Sequence, residues 1–273
     1  EFTPYVSVDP GEYLLDIKPA GSNDVVATYR ADLSGLTGQA IRVFASGYLS
    51  GQAPAFGLFV ALADGTVLPL EQTSVARLQV IHNSPTPTVD VYVNGDKLLD
   101  SFVYRTATSF IDVPGDVLLN LGVAVDGSVS VNDTIANFPV TLENAKTYIV
   151  TASGIVGDLT TPFTLNVNDM GREASTDTNT VQFAVLHGAT DAPAVDVEAF
   201  GVGNLVTNLS YGEFTDYLSV APGVYRLRVK PAGSQTVVAR FEANLSGLKG
   251  GAAYVFASCL LYTSDAADDM QCV

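Results

Sequence analysis

The stretch from Thr3 to Ser46, TPYVSVDPGEYLLDIKPAGSNDVVATYRADLSGLTGQAIRVFAS, recurs without a gap from Thr215 to Ser258, 215 − 3 = 212 residues later. The blocks PGxYxLxxKPAGS, LSGL and VFAS are identical in both copies. A recurring segment of this kind is one structural unit folded the same way each time, so the chain is an array. A more diverged copy lies between them. Arg77 to Val93 (RLQVIHNSPTPTVDVYV) matches Gln182 to Ala199 (QFAVLHGATDAPAVDVEA), with His82 and His187 aligned 187 − 82 = 105 residues apart. Half of 212 is 106, which sets the length of one unit.

Within a unit the apolar residues follow the period of a strand. In Tyr13-Leu14-Leu15-Asp16-Ile17-Lys18 and in Tyr225-Arg226-Leu227-Arg228-Val229-Lys230, Tyr, Leu and Ile or Val recur at every second position, which puts them on one sheet face. The other face changes between copies, as expected of a sheet with one buried and one wet face. Val89-Asp90-Val91-Tyr92-Val93 runs into Asn94-Gly95, a strong hairpin signal. Pro10-Gly11, Pro114-Gly115 and Pro222-Gly223 mark one tight turn in all three copies. Short strands, turn signals and a unit near the roughly 100 residues of an immunoglobulin-like domain predict an all-β fold of tandem antiparallel β-sandwiches.

The array is unevenly cut. Residues 1–72 read as the C-terminal part of a first sandwich lacking the strands that carry the histidine and the VDV segment, with Glu71 to Ser74 as a junction. Residues 75–170 read as a complete second sandwich, Gly171 to Asn179 as an exposed polar linker, and 180–258 as a third sandwich without its last strands. Residues 259–273 depart from the repeat and resemble translated sequencing-adapter sequence, which predicts a non-native tail. That tail holds both cysteines, Cys259 and Cys272, and three aspartates with no basic residue, so the net charge changes only from −16 to −16 + 3 = −13 without it.

An acidic chain repels a phosphate backbone, so nucleic acid is not an expected partner. The longest apolar run, Ala55 to Ala63, is far short of the roughly 20 residues of a spanning helix and reads as a buried strand. The N-terminus shows no signal peptide, and the incomplete first copy predicts sequence upstream of Glu1.

His82 and His187 are the only histidines, and a catalytic reading would set them beside Ser84 or Asp90. Their repetition favours a packed ring that hydrogen-bonds loop backbone. Two histidines in separate repeats cannot form a zinc site. Asn132-Asp133 and Asn166-Val167-Asn168-Asp169 could offer oxygens to calcium, but neither matches a defined loop, and Gly201-Val202-Gly203 lacks the helix a phosphate loop needs. No catalytic, cofactor or metal residues are assigned. Asn132, Asn208 and Asn244 head Asn-X-Ser/Thr sequons open to glycosylation in a suitable host. Tyr13, Tyr225 and Phe256 fall on faces assigned to the core.

His82-Asn83-Ser84-Pro85, Val89 to Gly95 (VDVYVNG) and Asp191 to Val197 (DAPAVDV) resemble the family known as domain of unknown function four-three-nine-seven, whose repeats read HxSPDAPxVDVYVNG followed by a PGxYxVxVxPAG hairpin. The resemblance covers nearly all of Thr3 to Ser258. It implies secreted or surface-attached bacterial or archaeal proteins with tandem β-sandwiches, and it brings no catalytic residues. The sequence departs at Glu198-Ala199-Phe200-Gly201, which predicts a longer hairpin loop in the third copy. The expected function is a non-catalytic structural or adhesive segment of a surface protein, self-associating or binding other surface proteins or glycans. A sharper expectation is a fibre built by strand addition; the alternative is a carbohydrate-binding module of a secreted enzyme.

Overall fold

The computed structural model describes residues 3–22, 25–48 and 53–258; the expectations for the tail and its two cysteines lie outside the described residues. The chain is all-β. Among the described residues there is no α-helix, only a 3₁₀ turn at Val131–Asp133, and no helix is long and apolar enough to cross a membrane.

Two compact units are present. The first contains β1 (Glu12–Ile17), β2 (Ala27–Asp32), β3 (Arg42–Ser46), β4 (Gly57–Ala61), β5 (Val67–Pro69) and β6 (Glu71–Thr73), in two sheets ordered β1-β2-β6 and β3-β4-β5. Alternation in β1 turns Tyr13, Leu15 and Ile17 inward. Ala27, Tyr29 and Leu58 form the core, with Leu15, Ile17, Phe56 and Leu70 against it. Glu71 to Thr73 is a strand rather than a loose junction: Thr28 pairs with Thr73 and Arg30 with Glu71. Pairing satisfies backbone groups that an open edge of β2 would leave to water.

The second unit carries the other two repeats. The earlier one comprises β7 (Val75–His82), β8 (Val89–Val93), β9 (Asp96–Phe102), β10 (Thr106–Ala107), β11 (Ile111–Pro114), β12 (Leu118–Val125), β13 (Thr134–Thr141), β14 (Thr147–Ser153) and β15 (Thr164–Asn168). One sheet runs β10-β7-β14-β15, with β11 also on β7, and the other runs β13-β12-β8-β9. β7 and β14 are parallel, with His82 opposite Ala152. The later repeat comprises β16 (Val181–His187), β17 (Val195–Ala199), β18 (Gly203–Leu209), β19 (Leu218–Val220), β20 (Val224–Pro231), β21 (Ala239–Asn244) and β22 (Ala252–Ala257), in sheets β19-β16-β22 and β18-β17-β20-β21. β16 and β22 repeat the parallel pairing, with His187 opposite Ala257. These are β-sandwich domains.

Three sequence expectations meet particular structural outcomes here. The Asn94-Gly95 turn has both residues at positive φ, 52° and 102°, and links β8 to β9 directly; its counterpart is the longer three-residue loop 200–202. The VDVYV strand does not have a wet face: Asp90 and Tyr92 are as buried as Val89 and Val91, because Lys97 and the turn at Ser128 cover them. The segment from Gly171 to Asn179 is not a free linker. Ala174 bridges Gly251, Ser175 is buried, and Arg172 donates to Gln182 Oε1 at 2.6 Å while its guanidinium lies 4.5 Å from the Tyr217 ring centre.

Candidate functional site: the repeated histidine and aspartate

His82 ends β7, where the chain leaves the sheet for the loop to β8. Its Nε2 lies 3.1 Å from the Pro87 carbonyl, and its Nδ1 accepts the Ser84 N–H at 3.4 Å. Those partners fix a neutral ring protonated on Nε2. Phe102 stacks on the ring at 5.7 Å, and Tyr104 meets it edge-on at 6.5 Å. Burial depresses the imidazole pKa, opposed by the bond to Pro87. Ser84 is not aligned as a nucleophile toward it, since its Oγ donates to the Gly154 carbonyl at 2.7 Å.

His187 repeats the arrangement at the end of β16. Its Nε2 is 2.9 Å from the Pro193 carbonyl and Tyr211 packs edge-on at 6.3 Å. Gly188-Ala189 replaces Asn83-Ser84, and His187 Nδ1 has no hydrogen-bond partner. Both rings therefore pin the loop that leads to the VDV strand.

Asp90 lies in that strand with no exposed surface. One carboxylate oxygen accepts the Ser101 N–H at 2.9 Å; the other accepts Ser128 N–H at 3.0 Å, Ser128 Oγ at 2.6 Å and Lys97 Nζ at 2.9 Å. Burial pushes its pKa up, but the bonds from Ser128, Lys97 and Ser101 outweigh it and hold the carboxyl far below the ordinary range. Asp196 does the same in the later copy, accepting Asn208 N–H at 2.8 Å and Gly233 N–H at 3.0 Å. Those two backbone bonds lower its pKa against the effect of burial. Ser101 and Asn208 both have left-handed backbones, φ 51° and 53°, a conformation that costs an L-residue roughly 1–2 kcal/mol. In each copy the buried carboxylate holds that kink in place.

Residues 76–198 and 181–261 match the model of the family described as Domain of unknown function (DUF4397). The chain belongs to this family. The DUF4397 matches take in His82, Asp90, His187 and Asp196, and with them both loops that these residues pin. No curated protein matches the chain.

The other candidates are placed as follows. Asn132, Asn208 and Asn244 are all exposed. The Asp133 carboxylate accepts Val129 and Ser130 N–H, Asn168 Oδ1 accepts Met170 N–H, and Asp169 pairs with Lys146 at 3.2 Å. Among the described residues no group of three or more His, Cys, Asp or Glu could hold a metal. Tyr13 and Tyr225 are half-buried and donate to the carbonyls of Asp9 and Ala221, and Phe256 is half-buried on β22.

Sequence reasoning missed the joint between the two DUF4397 repeats of the second unit. Asn83 Nδ2 donates to the Gly188 and Ala257 carbonyls at 3.3 and 3.2 Å, Arg105 donates to Ser258, and Ser258 Oγ donates to Tyr104 OH at 2.7 Å. Asn83 and Gly188 occupy one repeat position, 188 − 83 = 105 residues apart, so the same place in two copies faces itself. A Cβ at Gly188 would stand 2.1 Å from Asn83 Nδ2. Only that exchange of Asn for Gly hinted at it.

Proposed function

We propose that this DUF4397 protein is a non-catalytic structural or adhesive component of the cell exterior, its tandem sandwiches serving as building blocks that assemble by strand addition. The observation that carries this reading is the use made of the repeated histidine and aspartate. In both copies the histidine Nε2 meets a proline carbonyl and the aspartate accepts backbone N–H groups, so the most distinctive side chains of the repeat act as fasteners. Arg77 adds to this, forking onto Glu173 with two bonds of 2.8 Å and reaching Asp112 at 3.0 Å, which ties the segment after β15 back to β7. Sandwiches fastened internally in this way suit the transmission of force or the display of a surface.

Negative-stain electron microscopy of the full-length protein purified from its native surface tests the proposal. Chains joined end to end by a strand passing between neighbours are the expected result. Separate monomers that bind immobilised glycans would replace it with a carbohydrate-binding module, and turnover of a substrate by the purified chain would overturn the non-catalytic reading.

A further inference from the structure

The third sandwich departs from its sister copy on the outward face of β20 and β21. The inward positions keep their character: Tyr225, Leu227 and Val229 stand where the first copy has Tyr13, Leu15 and Ile17, 212 residues earlier. The alternate positions do not. Arg226, Arg228, Lys230 and Arg240 stand there against Glu242 alone, 4 − 1 = +3. The matching places in the first copy hold Lys18 and Arg30 against Glu12, Asp16 and Asp32, 2 − 3 = −1, and they neutralise one another: Arg30 pairs with Glu12, and Lys18 with Asp16 at 3.6 Å. Four of the 13 lysines and arginines of a chain of net charge −16 thus share one sheet face.

The neighbouring strand β17 does not cancel this charge. Glu198 is taken by Lys230 at 2.5 Å, and Asp196 is held by backbone N–H groups. Arg226 and Arg240 are exposed and Arg228 is half-buried; among the described residues none of the three forms an ion pair. Arg240 stands directly opposite Arg228 in the ladder, a like-charge pairing that costs stability. An aromatic ring borders the group. Phe200, in the loop that replaces the Asn94-Gly95 turn, donates its N–H to the Arg226 carbonyl at 2.8 Å and is 54% exposed, with the Arg228 guanidinium 3.9 Å from its ring centre.

We propose that this face binds an acidic polysaccharide, whose carboxylates meet Arg226, Arg228 and Arg240 and one of whose sugar rings packs on Phe200. A guanidinium presents a planar fork that matches a carboxylate. A carboxylate set between Arg228 and Arg240 removes the repulsion that the bare face carries. A pyranose ring offers its C–H groups to an aromatic face. A polymer whose charges are spaced out by hydroxyl groups suits three unpaired cations, whereas a nucleic-acid duplex, with a charge about every 1.7 Å, is repelled by the rest of a chain of −16. The assignment rests on the adhesive part of the reading above and uses neither a strand edge nor a second copy.

Calorimetric titration of the full chain with polygalacturonate, neutral dextran and polyglutamate tests it, repeated on two variants. The double variant Arg228→Asp with Arg240→Thr installs the residues that the first copy carries at these places, Asp16 and Thr28, which the same sheet accommodates there. Phe200→Ala removes an exposed ring. The expected result is saturable binding of polygalacturonate that weakens as salt rises from about 20 to 200 mM, with none of dextran. The arginine variant weakens it about tenfold or more, and Phe200→Ala about threefold. No binding at low salt, or equal binding by the parent and the arginine variant, overturns the assignment. Polyglutamate bound as tightly as polygalacturonate, with Phe200→Ala without effect, overturns the polysaccharide in favour of an acidic protein. Chains that join end to end yet leave polygalacturonate unbound overturn this face and leave strand addition standing. Separate monomers that bind it through the arginines support the face and overturn the assembly reading.

Discussion

Asp90 shows how a single buried charge organises a repeat. Its carboxylate holds Ser101 in a left-handed kink, anchors the turn at Ser128 and takes the Lys97 ammonium. Asp90→Asn leaves Lys97 facing an amide and one oxygen fewer for the N–H donors, and a loss of about 3 kcal/mol is expected in urea unfolding. The sign with pH follows from the lowered folded pKa. The unfolded chain takes up the proton first, so the contribution is complete well above the ordinary carboxyl value of 3.8 and fades as pH falls below it. Urea midpoints measured from pH 5 to 2 should drop less steeply in Asp90→Asn than in the parent. His82 acts in a higher window. Its folded pKa is depressed below 6.5, so stability is full above that value and declines as pH falls toward the folded pKa; His82→Gln should flatten that slope.

At the scale of elements, close approach requires glycine at several positions, Gly154 and Gly188 among them. Gly154 combines φ of 84° with a carbonyl oxygen 2.2 Å from where a Cβ would stand, so Gly154→Ala strains the turn that returns β14 to β15. A loss of about 2 kcal/mol or more is expected by thermal or urea unfolding. Gly188 needs no positive φ, but a Cβ there would stand 2.1 Å from Asn83 Nδ2 and 2.8 Å from the Ala257 carbonyl oxygen. Gly188→Ala should therefore displace both Asn83 and the end of β22, seen as faster amide exchange at Ala257 and Ser258; unchanged exchange there would count against these close contacts. The double variant Asn83→Gly with Gly188→Ala relieves the clash with the Asn83 side chain but not the one with the Ala257 carbonyl, and it forgoes the Asn83 bonds.

At the scale of the molecule, charge opposes assembly. A chain of net charge −16 that adds to its own copies works against like-charge repulsion, which salt screens over about 10 Å at 0.1 M. Light scattering of the purified chain should show association strengthening from 20 to 200 mM salt, whereas contacts dominated by opposite charges would weaken.

Much of the architecture was legible because the 212-residue recurrence and its half-length fix the unit, while alternation and turn residues fix its strands. A period-2 pattern reports which faces are apolar, so β1 and β20 could be read directly from Tyr13-Leu15-Ile17 and Tyr225-Leu227-Val229. The pattern cannot report polar residues buried by distant partners. Asp90 looked like the wet side of its strand, and only folding brought Ser128 and Lys97 over it. Glu71 to Thr73 looked like a junction until the edge of β2 supplied it with a ladder. The histidines could be assigned to packing by repetition, but their partners Pro87 and Pro193, and the meeting of Asn83 with Gly188, arise from chain segments brought together in space. Local order along the chain determined the strands; the covering of their faces and edges was decided by tertiary contact.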